Sequence, residues 1–99
     1  MFRQALRIAP RFCPSIEGMG QLHESAGELE EALGFFQDAI DCAPHDLGYH
    51  LSLGIVAFRL ERTEQARQHL EYVVRNDNQY GELRPRAEEY LRYMPVAAP

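Results

Sequence analysis

Slid along itself by 34 residues, the chain falls back into register with its own apolar pattern. Met19 meets Leu53, Gly20 meets Gly54, Leu22 meets Val56, Glu30 meets Glu64 and Ala32 meets Ala66. The offset continues into three-way matches: Phe2, Phe36 and Leu70; Ala5, Ala39 and Val73; Leu6, Ile40 and Val74; Pro10, Pro44 and Asn78. Matches that share one offset and preserve size as well as polarity mark a repeated supersecondary unit. Such a unit cannot bury its apolar face alone and does so by stacking on its neighbours. In 99 residues there is room for one small stack and none for a second domain.

The period inside the unit is helical. Leu29, Ala32, Leu33, Phe36, Ala39 and Ile40 recur at three- and four-residue spacing, which places them on one stripe of a helix. Ile16, Met19, Leu22, His23 and Ala26 trace a helix before it, and Gly27 between the two tolerates the positive φ that ends a helix. Pro44, without an amide hydrogen, stops the second helix; Asp46 is the expected N-cap of the next, and Thr63 is expected to cap residues 64–76. Small residues recur where two helices approach closely: Gly20 and Ala32 in one unit, Gly54 and Ala66 in the next. Phe36 and Leu70 are the large side chains expected to fill the space beside them. Leu at Gly20 or Ala32 should therefore cost more than Leu at Glu28.

Ile16, Met19, Gly20, His23, Ala32, Phe36, Ala39 and Pro44 at these spacings resemble the tetratricopeptide repeat. Residues 13–46 match its signature with Ile16 in place of the usual Trp and His23 in place of Tyr. Residues 47–80 match more loosely, with His50 at the Trp position and Ala57 at the Tyr position. Residues 1–12 resemble the second-helix remnant of an earlier unit through Phe2, Ala5 and Pro10, so the chain reads as a fragment of a longer array. The resemblance implies an all-α fold of antiparallel helix-turn-helix repeats, stacked as a short right-handed superhelix. Leu83, Ala87, Tyr90, Leu91 and Met94 form a further amphipathic helix within residues 81–95 that lacks the opening signature. That helix suits a solvating C-terminal cap, followed by a tail at 96–99.

Charge narrows the partners. All ten basic side chains are Arg, and against fifteen acids they leave a formal charge of −5. Residues 1–12 hold three Arg and no acid, whereas residues 13–46 hold eight acids and no Arg. Nucleic-acid binding draws on cations that neutralise phosphates, so neither duplex nor RNA is the expected partner. No run approaches the roughly 18 apolar residues of a membrane span. The opening MFRQALRIAPRF lacks the uninterrupted apolar core of a secretory leader, so no membrane partner is expected and the expected setting is cytoplasmic. There Cys13 and Cys42 would remain thiols.

Catalytic and metal chemistry find no pattern. Cys42, His45 and His50 lack the fourth ligand and paired close spacings of a structural zinc site, so no metal or cofactor is expected. Gly18 and Gly20 lack the following Gly of a phosphate loop, and no Ser stands in a nucleophile motif. His23 and His69 fall among apolar periodic positions, where packed, hydrogen-bonded histidines are the rule. The chain is not expected to be an enzyme.

For function, the resemblance implies a non-catalytic module that binds a peptide or protein segment in the concave groove of its stacked units. The family lines that groove largely with the first helix of each unit. The matching positions are Glu17, Gln21 and Glu24, then Leu51, Ile55 and Phe58, with Glu82, Arg86 and Glu89 from the terminal helix. Such a groove is part acidic and part apolar, suited to a partner with apolar anchors and basic flanks. Leu51, Ile55 and Phe58 form a stripe separate from the Leu53, Val56 and Leu60 stripe expected in the core. A helix apolar nearly all round is either covered on both sides by neighbouring helices or presents a binding patch. Family members that clamp a terminal carboxylate do so with Lys, Asn and Arg; the corresponding positions here read Glu17, Gln21, Ser52, Glu82 and Arg86, which removes or reverses most of that charge. The alternative is an intramolecular or oligomerisation scaffold of a larger enzyme or assembly with no free ligand, self-associating through an uncapped N-terminal end.

Overall fold

The 34-residue period reappears in where the helices start and stop. A computed structural model describes residues 12–78 and 81–94, and its described residues form helices and no strands. They are α1 (Cys13–Ser25), α2 (Leu29–Cys42), α3 (Leu47–Arg59), α4 (Thr63–Asn76) and α5 (Leu83–Arg92). Both ends of α3 fall 34 residues after those of α1, and both ends of α4 fall 34 after those of α2. The remnant expected at residues 1–12 lies outside the described residues except for Phe12, as do the tail and Pro95.

Local chemistry sets these ends. Pro14 stands in the first turn of α1, where its missing amide hydrogen costs nothing. Glu30 and Glu31 in the first turn of α2 complement the positive end of the helix dipole. The Asp46 carboxylate accepts from the Tyr49 amide at 3.3 Å and caps α3 as expected. Thr63 does not cap α4: the helix begins at Thr63 itself, with Arg62 at the cap position and no side-chain bond there.

Matching turns explain the one-residue shift. In the first, Gly27 has φ +80, its amide donates to the Glu24 carbonyl, and the Glu28 amide reaches back to His23. In the second, Glu61 has φ 61, its amide donates to Phe58, and the Arg62 amide reaches back to Ala57. Both are Schellman closures, and both carry the chain straight from one helix into the next. Asp77 closes the last junction by accepting from the Arg84 amide at 2.9 Å, satisfying a donor in the first turn of α5.

Helices adjacent in sequence pack on each other, and α5 reaches back to α3 as well as α4. Phe36, Ile16, Leu53, Leu70, Val56 and Val73 are the largest fully buried side chains. A Cβ on Gly20 would come within 2.6 Å of the Phe36 ring, and one on Gly54 within 2.7 Å of Leu70. The small residues thus receive the large ones at equivalent points of the two pairs. Ala87 of α5 is fully buried, with Leu83, Tyr90, Leu91 and Met94 packed around the same core.

Two expectations need correction. Leu22 is 66% exposed, whereas its counterpart Val56 is completely buried. Cys13 and Cys42 are not thiols: they form a disulfide, with Cα atoms 5.8 Å apart, across a 29-residue separation. The hairpin return brings the start of α1 beside the end of α2, a proximity that sequence separation conceals.

Candidate interaction face

The first helices of the two pairs lie side by side and are stitched together at two points. Ser52 Oγ on α3 donates to Glu17 Oε2 on α1 at 3.3 Å. Two turns further along, Arg59 Nη1 donates to Glu24 Oε2, also at 3.3 Å. Gln21 is exposed between these bridges. The separation of 35 residues in both bridges, one more than the period, shows that each acid contacts a residue adjacent to its own equivalent. Burial pushes the Glu17 carboxyl above its ordinary pKa; the Ser52 bond opposes that shift and the charge of Asp46 adds to it.

The apolar half of the expected groove is not open. Leu51 is 3% exposed and Ile55 9%, so both belong to the core. Phe58 is half-buried, with the Tyr90 ring of α5 against its edge at a centroid distance of 5.3 Å and an interplanar angle of 75°. The second stripe of α3 is therefore an internal contact, which accounts for a helix apolar on nearly every side. Arg86 and Glu89 are exposed on α5, as is Glu82 just before it. Among the described residues, neither Arg86 nor Glu89 is bonded to the α1–α3 strip.

What remains is a polar strip of Glu17, Gln21 and Glu24 on α1, edged by Ser52 and Arg59. Sequence reasoning supplied the three α1 residues and missed Arg59, whose signal was its placement one step past the equivalent of Glu24. His23 is packed as expected, stacked on Phe35 at 5.1 Å and bonded through Nδ1 to Glu28 Oε1 at 2.7 Å. Among the described residues no three His, Cys, Asp or Glu side chains are grouped to hold a metal. A separate depression of about 440 Å³ runs along α4 and is lined by that helix alone, including Glu64, Arg67 and Arg75. No described helix is long and apolar enough to cross a membrane. No family model matches the sequence, and no curated protein matches it.

Proposed function

We propose that the chain is a protein-binding scaffold of the tetratricopeptide kind, an α-solenoid segment whose ligand face is the strip shared by α1 and α3. The observation that carries this reading is the pair of bridges, Glu17 to Ser52 and Glu24 to Arg59, which lays the two first helices flank to flank. The recurrence of the small-into-large contacts, Gly20 with Phe36 and Gly54 with Leu70, supports the stacking.

The favoured partner is a peptide or protein segment bearing Arg or Lys. Residues 13–46 supply eight acids and no Arg, so encounter is biased toward positive charge. The Glu24–Arg59 pair is partly solvent-exposed, and such pairs contribute only about 0–1 kcal/mol, so an incoming guanidinium can replace Arg59 at small cost. An apolar anchor no longer belongs to the proposal at Leu51 or Ile55, because both are covered.

The test is a panel of basic, neutral and acidic peptides titrated against the parent chain and a Glu17→Gln, Glu24→Gln variant, with helicity checked by circular dichroism. Basic peptides should bind best, weaken with salt, and lose about tenfold or more in the variant. Equal binding of acidic peptides, or no loss in the folded variant, overturns the reading.

One observation favours the scaffold alternative, in which the chain docks within its own assembly. Leu22 and Phe12 are exposed on and beside α1, whereas Val56, the repeat counterpart of Leu22, is completely buried. Sedimentation of the parent against Leu22→Glu separates the two readings: self-association abolished by Leu22→Glu supports the alternative, and a monomer at high concentration removes it. A disulfide at Cys13 and Cys42 suits an oxidising compartment better than the cytoplasmic setting expected from the sequence.

A further inference from the structure

His50 stands fourth in α3, where its repeat counterpart is the fully apolar Ile16, and it is only 7% exposed. A buried imidazole needs a partner at each ring nitrogen. Nε2 lies 2.7 Å from the Pro44 carbonyl oxygen, in the link between α2 and α3. A carbonyl only accepts, so Nε2 carries the hydrogen. Nδ1 lies 2.8 Å from Nδ1 of His69 on α4. Two nitrogens at that distance share one hydrogen, and with His50 neutral it belongs to His69.

The arrangement counts protons. With neither ring charged, His69 donates to His50 and His50 donates to Pro44. With one extra proton on the pair, one nitrogen still donates to the other, and the contact holds. With two, both Nδ1 atoms carry hydrogens that point at each other, and two positive charges meet in a poorly solvated place. The contact accommodates zero or one extra proton and excludes two.

We infer that the His50–His69 contact is an acid-sensitive latch, joining α4 to the link between the two helix pairs and opening when the second proton binds. It does not depend on the binding reading above. The titratable groups on the surrounding elements are engaged elsewhere. The Tyr72 ring on α4 stacks on His50 at 4.2 Å, and its hydroxyl meets His45 Nδ1 at 3.3 Å. Asp46 is held at the Tyr49 amide, and Glu17 on α1 is bonded to Ser52. On α2, Asp41 accepts from Gln37 and Asp38 lies one turn before it; on α5, Arg84 and Glu88 are paired with each other. Among the described residues no carboxylate is bonded to either ring of the pair.

The direction of the pH effect follows. Burial, with the neighbouring His50, lowers the pKa of His69 below the ordinary histidine value. A base whose charged form the fold disfavours contributes its full stability above the unfolded pKa of about 6.5 and loses it as pH falls through the lower folded value. Acidification then frees His69, while the Pro44 bond can survive on His50 alone.

The experiment follows the imidazole Cε1–H resonances of the parent by NMR from pH 8.5 to 4.5, alongside melting curves of the parent and His69→Gln over the same range. Gln keeps an amide donor for His50 and does not titrate. The latch requires two steps for the pair, separated by more than about one unit. It also requires that at least half of the parent's fall in Tm between pH 7.5 and 5 be missing in His69→Gln. Both rings titrating in one step near 6.5 overturns the inference, as does an equal fall in the two proteins. Should His69→Gln fail to fold, the parent's NMR titration decides alone.

Discussion

Two glycines in α1, two positions apart, have opposite reasons to be there. Gly20 is held by sterics, because any Cβ would enter the space of the buried Phe36 ring; Gly18 has nothing within 4 Å of its missing Cβ. Gly18→Ala should therefore stabilise by about 0.5–1 kcal/mol through helix propensity. Gly20→Ala gains the same propensity but overpacks a fully buried ring, and should lose about 1–2 kcal/mol net. Urea denaturation of the two variants reads both signs. Glu61 offers a third comparison, since it holds the left-handed turn position that Gly27 fills 34 residues earlier. Glu61→Gly should stabilise by about 0.5–1 kcal/mol, because relief of the left-handed strain exceeds the added chain entropy. The close approaches were legible in the sequence because Gly and Ala recur at the period. Arg62 in the cap position was not, since Thr63 is the better cap by composition and the turn closure moved the boundary past it.

Each helix pair is closed differently. The α3–α4 pair is held by burial, with eight residues of α3 in the core, from Tyr49 to Ala57. The α1–α2 pair buries only Cys13, Ile16 and Gly20 from its first helix, and there the Cys13–Cys42 disulfide joins the outer ends of the hairpin. A link across 29 residues restrains the unfolded chain by about 3–4 kcal/mol in the loop-entropy treatment. The parent should thus lose about that much stability in reductant, and a Cys13→Ser, Cys42→Ser variant should melt at the same lowered temperature with or without it. Thiol titration of the unreduced, denatured parent should find no free thiol among these two. The sequence could not show the bond, for spacing alone does not say that two helix ends meet. It also left α3 ambiguous for a physical reason: periodicity reports how many faces are apolar, not which neighbour covers each. From the sequence, Leu51 and Ile55 suited a covered face as well as a ligand stripe, and their burial decides for the covered face.

The whole molecule is a row, in which each helix leans mainly on those beside it in the chain, so a perturbation at one end should be felt locally. The C-terminal end offers the cleanest place to see this. Tyr90 of α5 meets Phe58 of α3 edge to face, and α5 packs on α4 as well as on α3. Tyr90→Ala should cost about 1–2 kcal/mol from lost burial and the ring pair together. Much of that cost should vanish in a Phe58→Ala background, leaving a coupling energy of about 0.5–1.5 kcal/mol in the double-mutant cycle. Amide exchange then locates the loss. In Tyr90→Ala the amides of α5 and the neighbouring turns of α3 should exchange faster, while those of α1 and α2, which share no substantial interface with α5, should keep most of their protection. A uniform rise across all five helices would mean that the row opens as one cooperative unit, so that the end helix governs the distant Glu17–Ser52 bridge as well as the stripe it covers.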